Sequence, residues 1–355
     1  MKTLNIAIIG TGTIAREKHI PCLIKRDDVK ITVLCDIDTE KAEAVKREFG
    51  LEDAVICDDY HKVCADPGID VVHVLTPNPL HCPITIEALE NGKHVHCEKP
   101  MACTYADARK MVETARRVGK KLTSGTQWRY QPAPRKMKEM IREGRFGDIY
   151  YIKSSQLRGR RLPAYGVYTS KTGNGGGMLM DGGPHSIDLP MWLTDNYDVQ
   201  SVRGVTFDKM KNHTEGNALG AWDPDHFDVE DSFMAMITMK NGMLIYVECA
   251  WVINMLQEAP GMTAAIAGTR AGADMVGPGF ENHVRVNEIV DGKLSVESIE
   301  CTADESMHEY DINRWIEAIQ YDRDPAVLPE QAATLVRVIE AIYKSAATGQ
   351  TVFFD

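Results

Sequence analysis

The 355-residue chain has no CxxC pair, no block of basic residues, and no apolar run long enough to span a bilayer. Each absence removes a class of protein. Nine scattered cysteines, an odd count with seven before residue 104, speak for buried thiols in a reducing cytoplasm rather than a disulfide framework. Forty lysines and arginines against 51 aspartates and glutamates leave a net charge of −11, so neither nucleic acid nor an anionic membrane is an expected partner. The opening "MKTLNIAIIGTG" has one lysine and a short apolar run that ends in glycines without a small-residue cleavage site. It reads as a first strand and not as a signal peptide, and the protein as cytoplasmic. No internal repeat or low-complexity tract is present. A metal is not expected either. "HVHC" (94–97) puts His94 and His96 on one strand face, but no third ligand follows at a helpful spacing. "DPDHFDVED" (223–231) lacks the glycine and ligand spacing of a calcium loop and reads as a solvated loop entering a strand.

What is there has two rhythms. Up to residue 125, β-rich runs (4–9, 30–35, 70–75, 93–97, 120–124) alternate with helical patterns (39–50, 80–92, 104–119). The third helix has Ala108, Met111, Val112, Ala115 and Val118 on one face, with Thr104 and Asp107 placed as a capping box. Alternating strands and helices predict βαβ units on a parallel sheet. After residue 145, runs at 148–157, 230–239, 242–252, 283–290 and 293–300 are broken by turns such as "KNG" and "DGK". These are hairpin signals and predict a largely antiparallel sheet. Two helices, roughly 308–321 and 330–348, close the chain. The domains expected are therefore 1–125 and 126–355.

"GTGTIA" (10–15) follows the first strand and opens a helix. Gly10 and Gly12, with Thr13 and Ile14 beginning the helix, let the backbone turn tightly and approach a pyrophosphate; Ala15 replaces a third glycine. Asp36 ends the second strand, 21 residues after Ala15, where a carboxylate would hold the adenosine ribose hydroxyls and repel a 2′-phosphate. The expected cofactor is NAD rather than NADP.

"GGGMLMDGGPHSID" (175–188) holds Asp181 and His185 one helical turn apart, with Asp188 three residues further on and able to orient the imidazole. Its glycines would permit close backbone approach to a flat ring. A histidine beside a carboxylate is a general-base arrangement, but by itself the stretch reads more readily as an aspartate helix cap and a satisfied histidine.

GxGxxA, "TPNPLH" (76–81), "ALENGKHVHCEKPMA" (88–102) and "GGGMLMDGGPHSIDLPMWL" (175–193), in this order, resemble the glucose–fructose oxidoreductase/inositol dehydrogenase/rhizopine catabolism family over nearly the whole chain. The resemblance implies an α/β fold: an N-terminal Rossmann domain with a doubly wound parallel sheet, then a C-terminal α/β domain whose large, mostly antiparallel open sheet often forms a homo-oligomer interface. It implies that Lys99, Asp181 and His185 are catalytic, His185 as the base and Lys99 near both nicotinamide and substrate hydroxyl. Thr76, Asn78 and His81 would line the cofactor, Glu98 the nicotinamide ribose, and Arg129 a position near the cofactor. Two features depart from the family: Pro190 falls inside the helix after His185, where it should kink it, and residues 207–229 form a long polar segment suited to a lid or substrate-selecting loop.

The reading is an NAD-dependent dehydrogenase acting on a secondary hydroxyl of a sugar, glycoside or cyclic polyol. Arg158, Arg160 and Tyr165 of "LRGRRLPAYG" (157–166) are substrate candidates, and Trp128, Trp222 and Trp251 offer faces for stacking on a ring if they are not core. Two rivals remain. One is an enzyme that uses tightly bound NAD for transient oxidation and eliminates a glycosidic group; the other is a non-catalytic sugar- and NAD-sensing regulator.

Overall fold

The computed structural model describes residues 2–255, 261–276 and 283–355, which fall into two compact units. The first comprises Met1–Thr126 and Glu305–Val336, the second Gln127–Asp304 and Arg337–Asp355. Residues 305–336 thus pack with the first unit although they follow the second in sequence. No helix among the described residues is long and apolar enough to cross a membrane.

The first unit is built on a parallel sheet of β1 (Leu4–Ile9), β2 (Val29–Cys35), β3 (Val55–Cys57), β4 (Val71–Val74), β5 (His94–Cys97) and β6 (Leu122–Ser124). Their spatial order is β3-β2-β1-β4-β5-β6, that of a Rossmann domain, and it reverses between β1 and β4. Ile6, Ala7 and Ile8 of β1 and Val71, Val72 and Val74 of β4 have no exposed surface, as strands covered on both faces require. Burying each large apolar side chain contributes roughly 1.5–3 kcal/mol before the entropy of ordering the chain is charged. The helix Met307–Gln320 adds Ile312, Trp315 and Ile316 to the same core as Ile6, Ile8, Ile20 and Leu23.

The helices expected at 39–50, 80–92 and 104–119 form as Thr39–Glu48, His81–Glu90 and Tyr105–Val118. Thr104 caps Tyr105–Val118 by accepting from the Asp107 amide at 3.2 Å, and Gly119 ends it with φ +66°. The strand β3 and the short helix Tyr60–Ala65 were not foreseen; three residues are too few to show a period.

Among its described residues the second unit carries nine strands: β7 (Ile149–Leu157), β8 (Val199–Phe207), β9 (Ser232–Met239), β10 (Leu244–Ala250), β11 (Gly261–Gly268), β12 (Ala271–Val276), β13 (His283–Val290), β14 (Lys293–Glu300) and β15 (Val352–Phe353). Their order is β14-β13-β12-β11-β7-β10-β9-β8-β15, and every neighbouring pair is antiparallel except β7–β10. The sheet is therefore mostly antiparallel, as expected. The helix Gly183–Leu193 lies against β7 and β10, with all but Trp192 buried. It continues through Pro190 to Leu193 rather than ending there.

Candidate active site

In the first unit the turn after β1 has the stereochemistry of a dinucleotide cradle. Gly10 has φ +95°, and a Cβ there would sit 2.5 Å from the Leu75 carbonyl oxygen, so only glycine fits. A Cβ on Gly12 would meet nothing nearer than the Lys41 ammonium at 4.0 Å. That open side is where a pyrophosphate needs close backbone approach. Thr13 is exposed and Ile14 half-buried at the start of the helix that follows.

Asp36 stands at the end of β2. Its Oδ2 accepts from the amide and the hydroxyl of Thr11, both at 2.8 Å, and lies 3.4 Å from the Lys41 ammonium; its Oδ1 accepts from the Asp38 amide at 3.1 Å. Partial burial opposes ionisation, but these donors outweigh it and hold the carboxyl below its usual range. Asp36 is thus an anion just past the carboxyl end of β2.

At the carboxyl ends of β4 and β5, Thr76, Asn78 and Lys99 are half-buried. The Thr76 hydroxyl is buried without a hydrogen-bond partner among the described residues, which suits a ligand-facing donor. His81 and Glu98 have more internal roles than the sequence suggested. His81 is 1% exposed, with Nδ1 2.8 Å from the Pro100 carbonyl and Nε2 2.8 Å from the Thr76 carbonyl, so it braces the loop. The buried Glu98 faces His19 Nε2 through Oε1 at 3.1 Å and accepts from the Lys99 amide through Oε2 at 3.1 Å. Burial opposes its ionisation, yet the His19 hydrogen bond and nearby positive charge bring it below the ordinary carboxylate range.

In the second unit, Asp181 ends the short helix Met178–Asp181 and His185 lies in the first turn of Gly183–Leu193. Both are nearly buried, at 8% and 6% exposure. Asp181 Oδ2 accepts from the Trp251 indole at 2.8 Å and from Arg158 Nη1 at 3.1 Å. The His185 ring lies 5.7 Å from the half-buried Trp128 ring, tilted by 52°.

Four readings from sequence change. Asp188 gives both carboxylate oxygens to Arg129, so it serves as that arginine's counter-ion. Arg129 is 1% exposed and also donates to Tyr197 at 2.9 Å, so its guanidinium supports the helix of His185 from inside the unit. Trp251 has no exposed surface, so it offers no face to a sugar and acts through its indole N–H; Trp222 is likewise core. The glycines of "GGG" also have a cause within the unit. A Cβ on Gly176 would overlap the Tyr343 hydroxyl, and one on Gly177 the Glu230 carbonyl.

Of the arginine run, Arg160 donates to the carbonyls of His213 and Glu215 and to Asn254, pinning part of the 207–229 segment. Asn217 adds two bonds to the backbone of Leu162. Tyr165 is 53% exposed, edge-on to Tyr168. Glu230 was missed. It is 9% exposed and its Oε1 accepts from the amides of Gly177 and Leu179 and from the Tyr343 hydroxyl, holding the turn that presents Asp181. Burial pushes its carboxyl up despite those bonds. Its place in an acid-rich stretch made it look solvated; the following strand was the only signal.

Two family models match the chain, "Oxidoreductase family, NAD-binding Rossmann fold" over residues 4–126 and "Oxidoreductase family, C-terminal alpha/beta domain" over residues 138–354. A D-glucoside 3-dehydrogenase of Escherichia coli (strain K12) is 32% identical over 349 residues, covering 98% of this chain and 97% of its own. The aldose-aldose oxidoreductase from Caulobacter crescentus, complexed with glycerol, superposes with a TM-score of 0.82 at 25% identity, over 99% of this chain and 100% of that one. A levoglucosan dehydrogenase in complex with NADH and levoglucosan shares the fold, with a TM-score of 0.84 at 22% identity over 99% of each chain. With the glycine turn and Asp36 in place, the chain belongs to the glucose–fructose oxidoreductase/inositol dehydrogenase/rhizopine catabolism family and is an NAD-dependent oxidoreductase.

Proposed function

We propose that the protein reversibly oxidises a secondary hydroxyl of a neutral sugar, glycoside or cyclic polyol, with His185 as the base and Lys99 assisting. The observation that carries this is the Asp181–His185 pair, one turn apart and nearly buried, with Asp181 fixed by Trp251 and Arg158. NAD, when bound, supplies the nicotinamide C4 that accepts hydride. The imidazole of His185 takes the hydroxyl proton as general base. Lys99 supplies positive charge to a developing alkoxide. Gly10, Gly12, Thr13, Ile14, Asp36, Thr76 and Asn78 would hold the cofactor.

Engagement of Arg158 and Arg160 favours a neutral substrate. An anionic acid calls for a bidentate guanidinium clamp. Arg158 is bonded to Asp181, and Arg160 to carbonyls and Asn254. The relative named a D-glucoside 3-dehydrogenase points the same way. The test is NADH absorbance with glucose, an aryl glucoside, myo-inositol and a sugar acid as substrates. Preference for the acid over every neutral ring overturns the reading, and release of an aglycone without net NADH replaces it with elimination.

The outer strands β13 and β14 expose Ile289, Leu294 and Val296 at 63–69%. An apolar surface of this kind supports a homo-oligomer through the open sheet. Sedimentation of a purely monomeric chain at micromolar concentration would overturn that.

A further inference from the structure

Three imidazoles meet in the core of the first unit. His19 ends the π-helical turn Ala15–His19, a geometry that recurs at functional sites. His73 and His96 are direct register partners on β4 and β5. They are 2%, 0% and 0% exposed, and one nitrogen from each lies within 4.8 Å of the others. The rings of His73 and His96 stack at 5.0 Å with 15° between planes, and His19 stands edge-on to both.

The hydrogen bonding divides the ring nitrogens into two sets. Facing outward, His19 Nε2 meets Glu98 Oε1 and His96 Nε2 meets Asp311 Oδ2, each at 3.1 Å. Facing inward, His19 Nδ1 and His73 Nδ1 are 2.9 Å apart. His96 Nδ1, and also His73 Nε2, are buried without a hydrogen-bond partner among the described residues. Burying an imidazole with an unsatisfied nitrogen is costly, and a bound ion would give His96 Nδ1 the partner it lacks.

We propose that His19, His73 and His96 form a structural site for a divalent transition metal, with zinc as the reference ion and Glu98 and Asp311 as the outer carboxylates. Imidazole suits zinc and its neighbours in the first row. A ligating histidine commonly gives its other nitrogen to a carboxylate, as His19 and His96 both do. The two carboxylates balance the double charge of the ion. Zinc–nitrogen bonds of about 2.0–2.1 Å place tetrahedral ligand nitrogens roughly 3.4 Å apart. His19 Nδ1 and His73 Nδ1 are 2.9 Å apart and the whole set lies within 4.8 Å, a spread that includes that value. The ion would tie the π-helical turn, β4, β5 and the helix Met307–Gln320 into one unit. The sequence hid this site because His96 pairs with His73 on the next strand and not with His94 on its own.

The competing explanation is a metal-free chain of hydrogen bonds from Glu98 through His19 to His73. The full chain, without an affinity tag, is purified without chelator and desalted, and its zinc is measured by elemental analysis. It is then stripped and titrated with cobalt(II), following the visible bands of a tetrahedral ion, and its melting temperature is read with and without zinc. His73→Gln and His96→Gln are measured in parallel, with circular dichroism and NAD binding as checks of folding. One zinc per chain, a tetrahedral cobalt spectrum, a higher melting temperature with zinc, and loss of all three in the folded variants are expected. A wild-type chain that binds neither ion overturns the site, whether or not the variants fold; so does undiminished binding in both variants.

Discussion

Trp251 donates its indole N–H to Asp181 Oδ2 at 2.8 Å from a ring with no exposed surface. The tryptophan therefore acts on the carboxylate and not on a ligand. A hydrogen bond to a charged group contributes about 1.5–3 kcal/mol, and Trp251→Phe keeps most of the ring while removing the donor. We expect kcat to fall about tenfold with NAD affinity unchanged, since a 1.4 kcal/mol change is tenfold in rate. Steady-state kinetics beside calorimetry checks this. Wild-type turnover in a folded Trp251→Phe protein would mean that Arg158 alone suffices to place Asp181.

His185→Ala and Lys99→Ala should each lower turnover by about 10²–10⁴-fold, the usual contribution of acid–base help. NAD binding should survive both, because Gly10, Gly12 and Asp36 are untouched. A His185→Ala variant that kept its rate would remove the base assignment.

Much of the first unit was legible because its signals are local. The strand β1, the turn at Gly10, and the helix from Thr104 to Gly119 each carry their own pattern, and nothing distant overrides it. The unforeseen strands fail for local reasons too. β11 and β12, "GMTAAIAG" and "AGADMV", are rich in alanine and glycine, which have little β preference. In β8, Gly204 takes an inward position because a Cβ there would sit 2.8 Å from the Ile342 side chain. At the candidate site, residue types were readable but partners were not. Asp188 meets Arg129 across 59 residues, Glu230 meets Gly177 across 53, and Asp181 meets Trp251 across 70. No spacing rule reaches that far.

We propose that Asp36 and Lys41 set the nucleotide preference together. The carboxylate accepts from Thr11 and repels a 2′-phosphate, while the Lys41 ammonium 3.4 Å away is held by that same carboxylate. Asp36→Ala should weaken NAD binding and strengthen NADP binding, since it deletes the repulsion and frees the cation. Calorimetry with both nucleotides gives the ratio. Tighter binding of NADP by the wild-type chain, or an unchanged ratio in the variant, would show that another group reads the ribose.

His81 should make the fold sensitive to mild acid. Burial disfavours the imidazolium more than the carbonyls of Pro100 and Thr76 favour it, so its pKa in the fold lies below 6.5. In the unfolded chain the ring takes a proton near pH 6.5, so below that value the unfolded state binds more protons. The stability contributed by neutral His81 is full above pH about 6.5 and is lost as pH falls toward the folded pKa, at up to about 1.4 kcal/mol per pH unit. Urea midpoints between neutral pH and the onset of carboxylate protonation give the slope, which should be shallower in His81→Asn by the share of one proton. The comparison uses slopes because the asparagine will lower stability at every pH. Equal slopes in the two proteins would mean that His81 is already protonated in the fold, donating to both carbonyls at once.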